Sequence, residues 1–445
     1  MQLQVNTRYR DIWQIAYPVI IGSLATTAIN ITDTIFLGRV GEVELGASAL
    51  GGVYYFILVM MGAAIGNGAQ IMIARRSGEN NTGAIGLLFD HGVVVLIALG
   101  LLLMGLTYFS APWLMAKTIS HEQTRNAVLE FLNFRLLGII PVMGGLAFRA
   151  LYVGTNQSKI FGIYSFIEAA LNIYLAYSLI FGSSWCKTMG ISGAGLASSI
   201  AEIIGLLFFI GYAYLHGDVK KLSLFKFKAF DWNISKNIIN LSAPLLVQNT
   251  LSMVSWFAFF LVIERINQHE LAIANITRSV YMVNLMPIWA FSVAANTMVS
   301  NLIGQQRSDE VNLLLKKIMK FGFSFALLMI GMNLLIPTQL ISLFTTNEQL
   351  ISDALPYFTV VNVAMFFFPF AITNIGAVGG TGATKIALII EIGAIAIYLM
   401  YIYIGGFIFH VSPFTLWWAE TIYWICMGSG ALWYMSSGKW KSIKI

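Results

Sequence analysis

Long apolar segments recur along the whole chain. Each has about twenty residues or more, which is enough for a helix to cross the apolar core of a bilayer. Hydrophobic residues make up 58% of the 445 positions and charged residues only 10%, so the chain has more apolar surface than a soluble core of this size buries. The segments are rich in Leu, Ile, Gly and Ala, without the alternation of barrel strands. We therefore predict an all-helical integral membrane protein with twelve transmembrane helices.

The predicted helices follow one another with short connections. Helices 1 to 6 cover approximately 11–37, 46–74, 83–110, 127–150, 160–182 and 190–215, and helices 7 to 12 cover 238–263, 271–298, 318–343, 353–378, 386–409 and 413–436. Asp11 and Gln14 lie at the start of helix 1, and no small-residue cleavage pattern follows before Asp33. We expect helix 1 to stay in the mature protein.

The sequence is also an internal duplication. A shift of 226 residues, without a gap, aligns many positions of the two halves, including Pro18 with Pro244. Repeated halves are a common architecture of transporters, whose working site lies near mid-membrane between or within the repeats. One intramembrane carboxylate breaks the symmetry, because Asp33 falls on Phe259. This difference predicts unequal roles for the two copies.

A polar segment from His216 to Lys236 separates six predicted helices from the other six. We expect an N-terminal lobe at 1–215, a cytoplasmic linker at 216–236 and a C-terminal lobe at 237–445. Because each copy holds an even number of helices, the copies share one orientation and are related by a pseudo-axis along the membrane normal. This arrangement predicts a central cavity between two lobes.

The basic residues set the orientation, because Lys and Arg in short loops stay on the cytoplasmic side. With both termini inside, nineteen basic residues face the cytoplasm and five face outward. The cytoplasmic set is Arg8, Arg10, Arg75, Arg76, Arg149, Lys159, Lys220, Lys221, Lys226, Lys228, Lys236, Arg307, Lys316, Lys317, Lys320, Lys385, Lys439, Lys441 and Lys444, and the outer set is Arg39, Lys117, Arg125, Lys187 and Arg265. This topology explains the net charge of +6, which gives no reason to expect a nucleic-acid partner. We expect a multi-pass protein of the cytoplasmic membrane, surrounded by its lipids.

Enzyme and cofactor classes are disfavoured by what the sequence lacks. The two cysteines, Cys186 and Cys426, do not have a metal-binding spacing. The phosphate-binding GxxxxGK[ST] pattern is missing, which argues against a pump driven by its own ATP hydrolysis. The predicted helices hold no nucleophile–base set, and the five histidines are scattered near helix ends or loops. We expect no enzymatic activity and no bound metal or cofactor.

Asp33 is the most informative polar residue, because it lies inside the first apolar segment. An ionised carboxylate in an apolar helix is costly unless it is paired, hydrated or protonated, and such residues typically mark ion or proton pathways. Pro18 shares this helix and is expected to bend it, which would move the carboxylate. The alternative is a side chain near the outer end of the helix that reaches water beside Arg39.

Glu168 and Asn172 lie one turn apart in predicted helix 5 and therefore share a face. They line a cavity together with Asp33, or else Glu168 neutralises Arg135 of helix 4, and the sequence leaves both interpretations open. Arg135 is more typical of a structural ion-pair partner than of a substrate contact. The full set of residues predicted to line a substrate cavity is Asp33, Thr26, Asn30, Asn67, Gln70 and Asn172.

Other acidic residues in the predicted helices differ in how they relate to the repeat. Glu202 and Glu420 match each other at a shift of 218, and this duplication indicates a shared structural role in packing or capping. Glu391 in helix 11 has no acidic counterpart, since Ser165 occupies the equivalent position. It faces either the interior of the second lobe or the cytoplasmic water.

In order and spacing, several segments resemble the multidrug and toxic compound extrusion (MATE) transporters, and within them the DinF-like branch. The likeness covers essentially the whole chain, as twelve helices in two six-helix lobes. The segments that carry it are 18–38 with Asp33, Ala74-Arg75-Arg76-Ser77-Gly78, 135–141, Leu171-Asn172-Ile173-Tyr174-Leu175 and 190–198.

The resemblance implies antiport, in which inward movement of H+ or Na+ drives export of cationic or amphipathic compounds. We expect the protein to be a monomer. In DinF-like members the acid matching Asp33 couples the cation, aided by an amide matching Asn172 and a hydroxyl matching Ser198. This chain has Ala176 where some members carry a second acid, and Glu168 compensates only if it faces the same cavity. Without this second acid a sodium site would be weaker, so proton coupling is favoured.

A flippase for lipid-linked saccharides is the main alternative, since such flippases share this architecture in a wider superfamily. They tend to line the cavity with several cationic residues that bind pyrophosphate, whereas these predicted helices hold chiefly Arg135 and Arg278.

The second lobe has no acid matching Asp33, and it has an apolar Phe366-Phe367-Phe368 run in helix 10. We therefore expect coupling to rest on the first lobe, with Asp33 as its main residue.

Overall fold

The computed structural model describes residues 3–184, 186–227, 230–443 and 445. Across these residues the secondary structure is helical, without a strand. Two of the basic residues assigned to the cytoplasmic face, Lys228 and Lys444, lie outside the described residues.

Twelve principal helices follow one another along the described part of the chain. They are α1 Tyr9–Val40, α2 Glu42–Gly78, α3 Thr82–Thr118, α4 Glu122–Gly154, α5 Ser158–Phe181, α6 Ile191–Leu215, α7 Trp232–Glu264, α8 Gln268–Gly304, α9 Val311–Leu335, α10 Tyr357–Gly380, α11 Thr384–Tyr403 and α12 Trp418–Ser436. One 3-10 turn, Leu136–Gly138, interrupts α4. Shorter helical pieces lie at Asp218–Lys221, Ser308–Glu310, Pro337–Ser342, Glu348–Ala354, Ile404–Ile408, Pro413–Leu416 and Lys439–Ser442.

The helices have the length and composition of membrane spans. In the described part of the chain, eleven are long and apolar enough to cross a bilayer, and these correspond to α1 to α11. The twelfth helix, α12, has 19 residues and carries Glu420 in its first turn among several Trp, Tyr, Ser and Gly residues, which lower its hydropathy. The protein is therefore a multi-pass membrane protein, and the predicted all-helical fold is confirmed.

The chain divides into two compact units. Unit one contains the segment ending at Leu3 together with Tyr17–Ser242, and unit two contains Gln4–Ala16 and Ala243–Ile445. Two of the three divisions fall inside a long helix, α1 or α7, one residue before Pro18 or Pro244. Proline removes a backbone hydrogen bond and weakens the helix where it sits. The two proline sites that the repeat relates therefore mark where the chain passes from one unit to the other.

Within unit one, the segment that follows α6 is fixed to the start of α3. Asp90 accepts backbone N–H groups from Phe225, Lys226 and Phe227 at 2.8, 2.9 and 3.0 Å. A Cβ added to Gly86 would lie 2.1 Å from the carbonyl oxygen of Leu222, so only glycine permits this close approach. The connection between the repeats is thus a bound segment over its described residues.

Candidate functional site

Asp33 lies seven residues before the end of α1 at Val40, and its side chain is half-buried. Its Oδ1 atom is shielded from solvent and accepts no hydrogen bond from the described residues. Nearby hydroxyls of the same helix are engaged elsewhere, because Thr26 donates to the Gly22 carbonyl at 3.1 Å and Thr34 to the Asn30 carbonyl at 2.8 Å. The carboxylate therefore keeps an acceptor oxygen for a ligand.

A buried ion pair lies in the same unit. Arg135, the last residue before the 3-10 turn of α4, donates from two nitrogens to the two carboxylate oxygens of Glu202 on α6, both at 2.7 Å. The guanidinium stacks over the ring of Tyr55 on α2 at 3.8 Å, and the Tyr55 hydroxyl donates to Glu202 at 3.3 Å. The side chain of Arg135 is 15% exposed and that of Glu202 is 6%. The pair is well formed and shielded, as a buried charge requires.

The 3-10 turn makes room for this ion pair. A Cβ on Gly138 would lie 1.9 Å from Oε2 of Glu202 and 2.9 Å from a guanidinium nitrogen of Arg135. Glycine is therefore required at this position by space rather than by backbone angle.

Three carboxylates surround this one arginine. Asp33 and Glu168 are both close enough to Arg135 for their charges to interact, and Glu168 also interacts with Glu202. Glu168 interacts with the hydroxyl of Tyr164, one turn earlier on α5. Because the guanidinium is committed to Glu202, the charges of Asp33 and Glu168 are not neutralised by it. Of the two interpretations left open by the sequence, the one in which Glu168 neutralises Arg135 is not what the structure shows.

Asn172 and Ser198 form a second polar contact in unit one. The Asn172 amide nitrogen donates to the Ser198 hydroxyl at 2.9 Å, and these residues are 1% and 7% exposed. The amide oxygen of Asn172 is buried and receives no hydrogen bond from the described residues. Unit one thus has a second buried acceptor oxygen without a hydrogen bond from the described residues, on α5, in addition to the one on Asp33.

Not every predicted cavity residue lies beside this cluster. Asn67 and Gln70 follow Tyr55 on α2 by 12 and 15 residues, which is about 18 to 22 Å along a helix axis. Thr26 and Asn30 lie on exposed positions of α1, two turns and one turn before Asp33 respectively. Asn67 and Gln70 are therefore on a different level of unit one from the carboxylates.

Tyr55 belongs to this cluster although it was not predicted from the sequence. Tyr55 and Tyr281 match at the 226-residue shift, and each contacts one member of the repeated pair Glu202 and Glu420. The Tyr281 hydroxyl donates to Glu420 at 3.5 Å, as Tyr55 does to Glu202. A buried Tyr that recurs together with a recurring Glu is the signal that would have found it.

Unit two fills the equivalent of the Asp33 region with aromatic side chains. The 226-residue shift places Trp256 on Asn30, Phe259 on Asp33 and Tyr398 on Asn172. Phe259 is 1% exposed, and its ring centroid is 5.2 Å from that of Trp417. Trp256 and Tyr398 both donate to Glu420, at 2.7 and 3.1 Å. Unit two therefore has no copy of the Asp33 site.

The family of the chain follows from comparison with known proteins. A family model described as MatE matches residues 18–178 and again residues 244–404, so the matches are offset by 226 residues at both ends. A probable multidrug resistance protein NorM from Thermotoga maritima is 23% identical over 86% of this chain and 82% of the relative. A second NorM relative, from Agrobacterium fabrum, is 23% identical over 71% of this chain and 67% of the relative.

A solved structure of similar fold supports the same conclusion. It is described as the outward-facing conformation of a multidrug resistance MATE family transporter of the MOP superfamily. It matches with a TM-score of 0.87 at 18% identity, covering 98% of this chain and 97% of that chain. The predicted duplication and the two six-helix lobes are confirmed. The chain belongs to the MatE family, the multidrug and toxic compound extrusion transporters.

Proposed function

We propose that this protein is a secondary antiporter that exports cationic or amphipathic small molecules in exchange for inward-moving H+. The observation that carries the proposal is the charge imbalance in unit one, where Asp33, Glu168 and Glu202 share Arg135 as their cation among the described residues. Negative charge in an apolar layer has to be neutralised by a bound cation. A proton and a cationic substrate both meet that need.

Competition between H+ and a cationic substrate for the Asp33 carboxylate would exchange one for the other. Asp33 Oδ1 and Asn172 Oδ1 are buried acceptors that receive no hydrogen bond from the described residues. A cationic N–H donor or a protonated carboxyl can satisfy them, but both cannot occupy Asp33 at once. Binding of H+ from outside would therefore weaken the hold on the substrate, and loss of H+ inside would restore it.

We favour H+ over Na+ because the oxygen ligands are few. Around Asn172 the chain offers one carboxylate, one amide oxygen and one hydroxyl, with Ala176 in place of a second acid. Hard cations prefer more oxygen ligands than this. On this proposal Glu168 tunes the charge of the cluster through Arg135 and Glu202 rather than completing a sodium site.

Alternating access would use the proline of α1. The backbone and ring of Pro18 pack against Gly162 of α5, where an added Cβ would lie 3.0 Å from Pro18 Cβ. A change in the charge of Asp33 alters what the outer part of α1 contacts, and Pro18 lies where α1 is weakest. We propose that this linkage moves the chain between outward- and inward-facing states.

The flippase alternative is less well supported. Arg135 is engaged by Glu202, and Arg278 stacks over the ring of Phe260 at 4.9 Å. A pyrophosphate group needs cationic residues that remain available.

We also propose that the protein is a DinF-like monomer, placed in the cytoplasmic membrane with both termini inside.

Transport by purified protein in liposomes tests the function. Efflux of a fluorescent organic cation would be followed under an imposed pH gradient, under an imposed Na+ gradient, and under neither. We expect the pH gradient alone to drive efflux. Efflux that follows only the Na+ gradient would contradict proton coupling, and movement of a lipid-linked pyrophosphate with no cation efflux would favour the flippase.

A further inference from the structure

Glu391 is a buried carboxylate of unit two that the mechanism above does not use. It lies on α11, seven residues after Thr384, and is 1% exposed. Ser252 donates to its Oε1 at 2.5 Å and Gln248 to its Oε2 at 3.4 Å, both from α7, and the Tyr423 hydroxyl of α12 also donates to Oε1. Three helices of one unit therefore converge on this side chain.

The hydrogen bonds around Glu391 fit both a charged and a neutral carboxyl. The Ser252 hydroxyl lies 3.0 Å from the Gln248 carbonyl oxygen as well as 2.5 Å from Glu391, and it has a single proton to donate. With Glu391 ionised, Ser252 donates to the carboxylate. With Glu391 protonated, the carboxyl donates to Ser252, and Ser252 donates to the Gln248 carbonyl. No buried donor or acceptor of this set is lost in either state.

Among the described residues, no cationic side chain pairs with Glu391. None of the ion pairs in the described part of the chain involves Glu391 or Glu420. The titratable groups that face Glu391 are Tyr423 and, beyond that ring, Tyr398 and Glu420, whose own bonds come from neutral donors. An ionised carboxylate surrounded only by neutral groups in the membrane needs a cation.

The ligands around Glu391 are hard oxygens. They comprise the carboxylate, the Ser252 and Tyr423 hydroxyls, and the amide oxygen of Gln248 after rotation of its amide. Gln248, Ser252 and Tyr423 are half-buried rather than closed off. The set is suited to a small monovalent cation.

The repeat shows that unit one lacks this arrangement. The shift of 226 residues places Gln248 on Gly22 and Glu391 on Ser165. These two positions also meet in unit one, where a Cβ on Gly22 would lie 3.1 Å from Ser165 Oγ. The same contact between helices is therefore close-packed and uncharged in unit one but carries an acid in unit two.

We propose that Glu391, Ser252, Gln248 and Tyr423 form a second cation-binding site, which takes H+ or Na+ in unit two. This inference rests on the proposed antiport. It places a coupling residue in the second lobe, in addition to the first-lobe residues that the sequence predicts. The two sites lie at different levels of the repeat, since Ser252 matches Thr26, seven residues before Asp33. The transporter would then exchange two cations for each substrate molecule.

The test counts cations released when substrate binds. Purified protein in weakly buffered detergent solution receives an excess of a fluorescent organic cation, and released H+ is measured with a pH indicator while bound 22Na+ is measured in a parallel arm. We expect about two cations per wild-type chain and one for Glu391→Gln, with H+ or Na+ identified by the arm that changes. Glu264→Gln, which removes an exposed carboxylate on α7, should release as many as wild type.

Transport in liposomes gives a second readout. At a pH difference of one unit, two coupled protons support up to about 100-fold substrate accumulation and one supports up to about tenfold. We expect substrate accumulation by Glu391→Gln to fall from about 100-fold towards about tenfold, while substrate exchange without a gradient persists. If the coupled ion is Na+, the same reduction appears under a tenfold Na+ gradient.

The outcomes separate this inference from the proposed function. Glu391→Gln with wild-type cation release in both arms would overturn the second site while leaving antiport intact. If wild-type protein releases no cation and shows no gradient-driven transport, the antiport itself fails. Should Glu391→Gln not fold, Ser252→Ala and Tyr423→Phe keep the carboxylate. Each is expected to shift the midpoint of cation binding at least about threefold, and unchanged midpoints in both would overturn the proposal.

Discussion

Arg135 and Glu202 form a bidentate ion pair, with both nitrogen–oxygen distances at 2.7 Å. This geometry commits the guanidinium to Glu202, although Asp33 is also within reach of its charge. The same arginine thus holds three helices together, since α4, α6 and the Tyr55 ring of α2 meet on it. Asp33 is left as a carboxylate whose partner has to arrive from elsewhere.

Breaking the ion pair should destabilise the protein strongly. In Glu202→Gln the buried Arg135 guanidinium loses the carboxylate that it contacts directly, and breaking a buried pair in this way costs about 3 to 5 kcal/mol. Thermal unfolding in detergent would measure it. Glu79→Gln is the matched control, because its ion pair with Arg76 is about one-third exposed at 2.8 Å and should contribute below about 1 kcal/mol. Equal losses in the two variants would contradict a structural role for the buried pair.

Filling the space at Gly138 should have a related effect. The methyl group of Gly138→Ala would occupy the position of Glu202 Oε2, 1.9 Å away, so the ion pair has to open. We expect a loss of at least about 2 kcal/mol. Gly105→Ala, in α3 with nothing within 4 Å of the new Cβ, should be neutral or stabilise by up to about 1 kcal/mol. A harmless Gly138→Ala would show that the turn does not confine the pair.

The fold was largely predictable from the sequence, because length and hydropathy decide which segments span a bilayer. The predicted helix ends differ from those observed, and α12 has the weakest hydropathy signal although it was predicted at 413–436. Its Trp, Tyr, Ser and Gly residues make it less apolar than the other helices, although its repeat relationship to α6 identifies it. The interruption of α4 at Leu136–Gly138 was not predicted, since only the ion pair packed against it explains why a glycine turn is needed there.

The site was predicted in its residues but not in its pairings. Hydropathy identifies Asp33, Glu168 and Glu202 as carboxylates in apolar helices, but it does not say which of them Arg135 contacts. That choice depends on the side-chain geometry of α4 and α6. The polar shell of Glu391 was missed for the same reason, because Ser252, Gln248 and Tyr423 meet only in the folded unit.

Removing the Asp90 carboxylate should release the segment after α6. Asp90 accepts three backbone N–H groups from residues 225–227, and hydrogen bonds to a charged group contribute more than neutral ones. In Asp90→Ala we expect amide hydrogen exchange at Phe225, Lys226 and Phe227 to rise at least about tenfold. Asp309→Ala, whose side chain is 95% exposed, is the control. Unchanged protection in Asp90→Ala would contradict the anchoring role.

Asn172 should affect cation binding rather than stability alone. Asn172→Ala removes the buried Oδ1 acceptor and the bond to Ser198, and one such polar contact is about 1 kcal/mol. We expect the apparent affinity for the coupling cation to fall about five- to tenfold in liposome transport. Ser165→Ala is the control on the same helix, because Ser165 bonds only its own helix, at the Phe161 carbonyl. An unchanged cation affinity in Asn172→Ala would exclude Asn172 from the site.

The most direct test is proton-driven export by Asp33→Asn, compared with wild type and with Glu42→Gln, which removes an exposed carboxylate at the start of α2. The asparagine keeps the shape of the side chain but cannot bind and release a proton. Under an imposed pH gradient in liposomes, we predict that export by Asp33→Asn falls at least about tenfold, with export by Glu42→Gln unchanged. Proton-driven export by Asp33→Asn at the wild-type rate would contradict the assignment of Asp33 as the coupling residue.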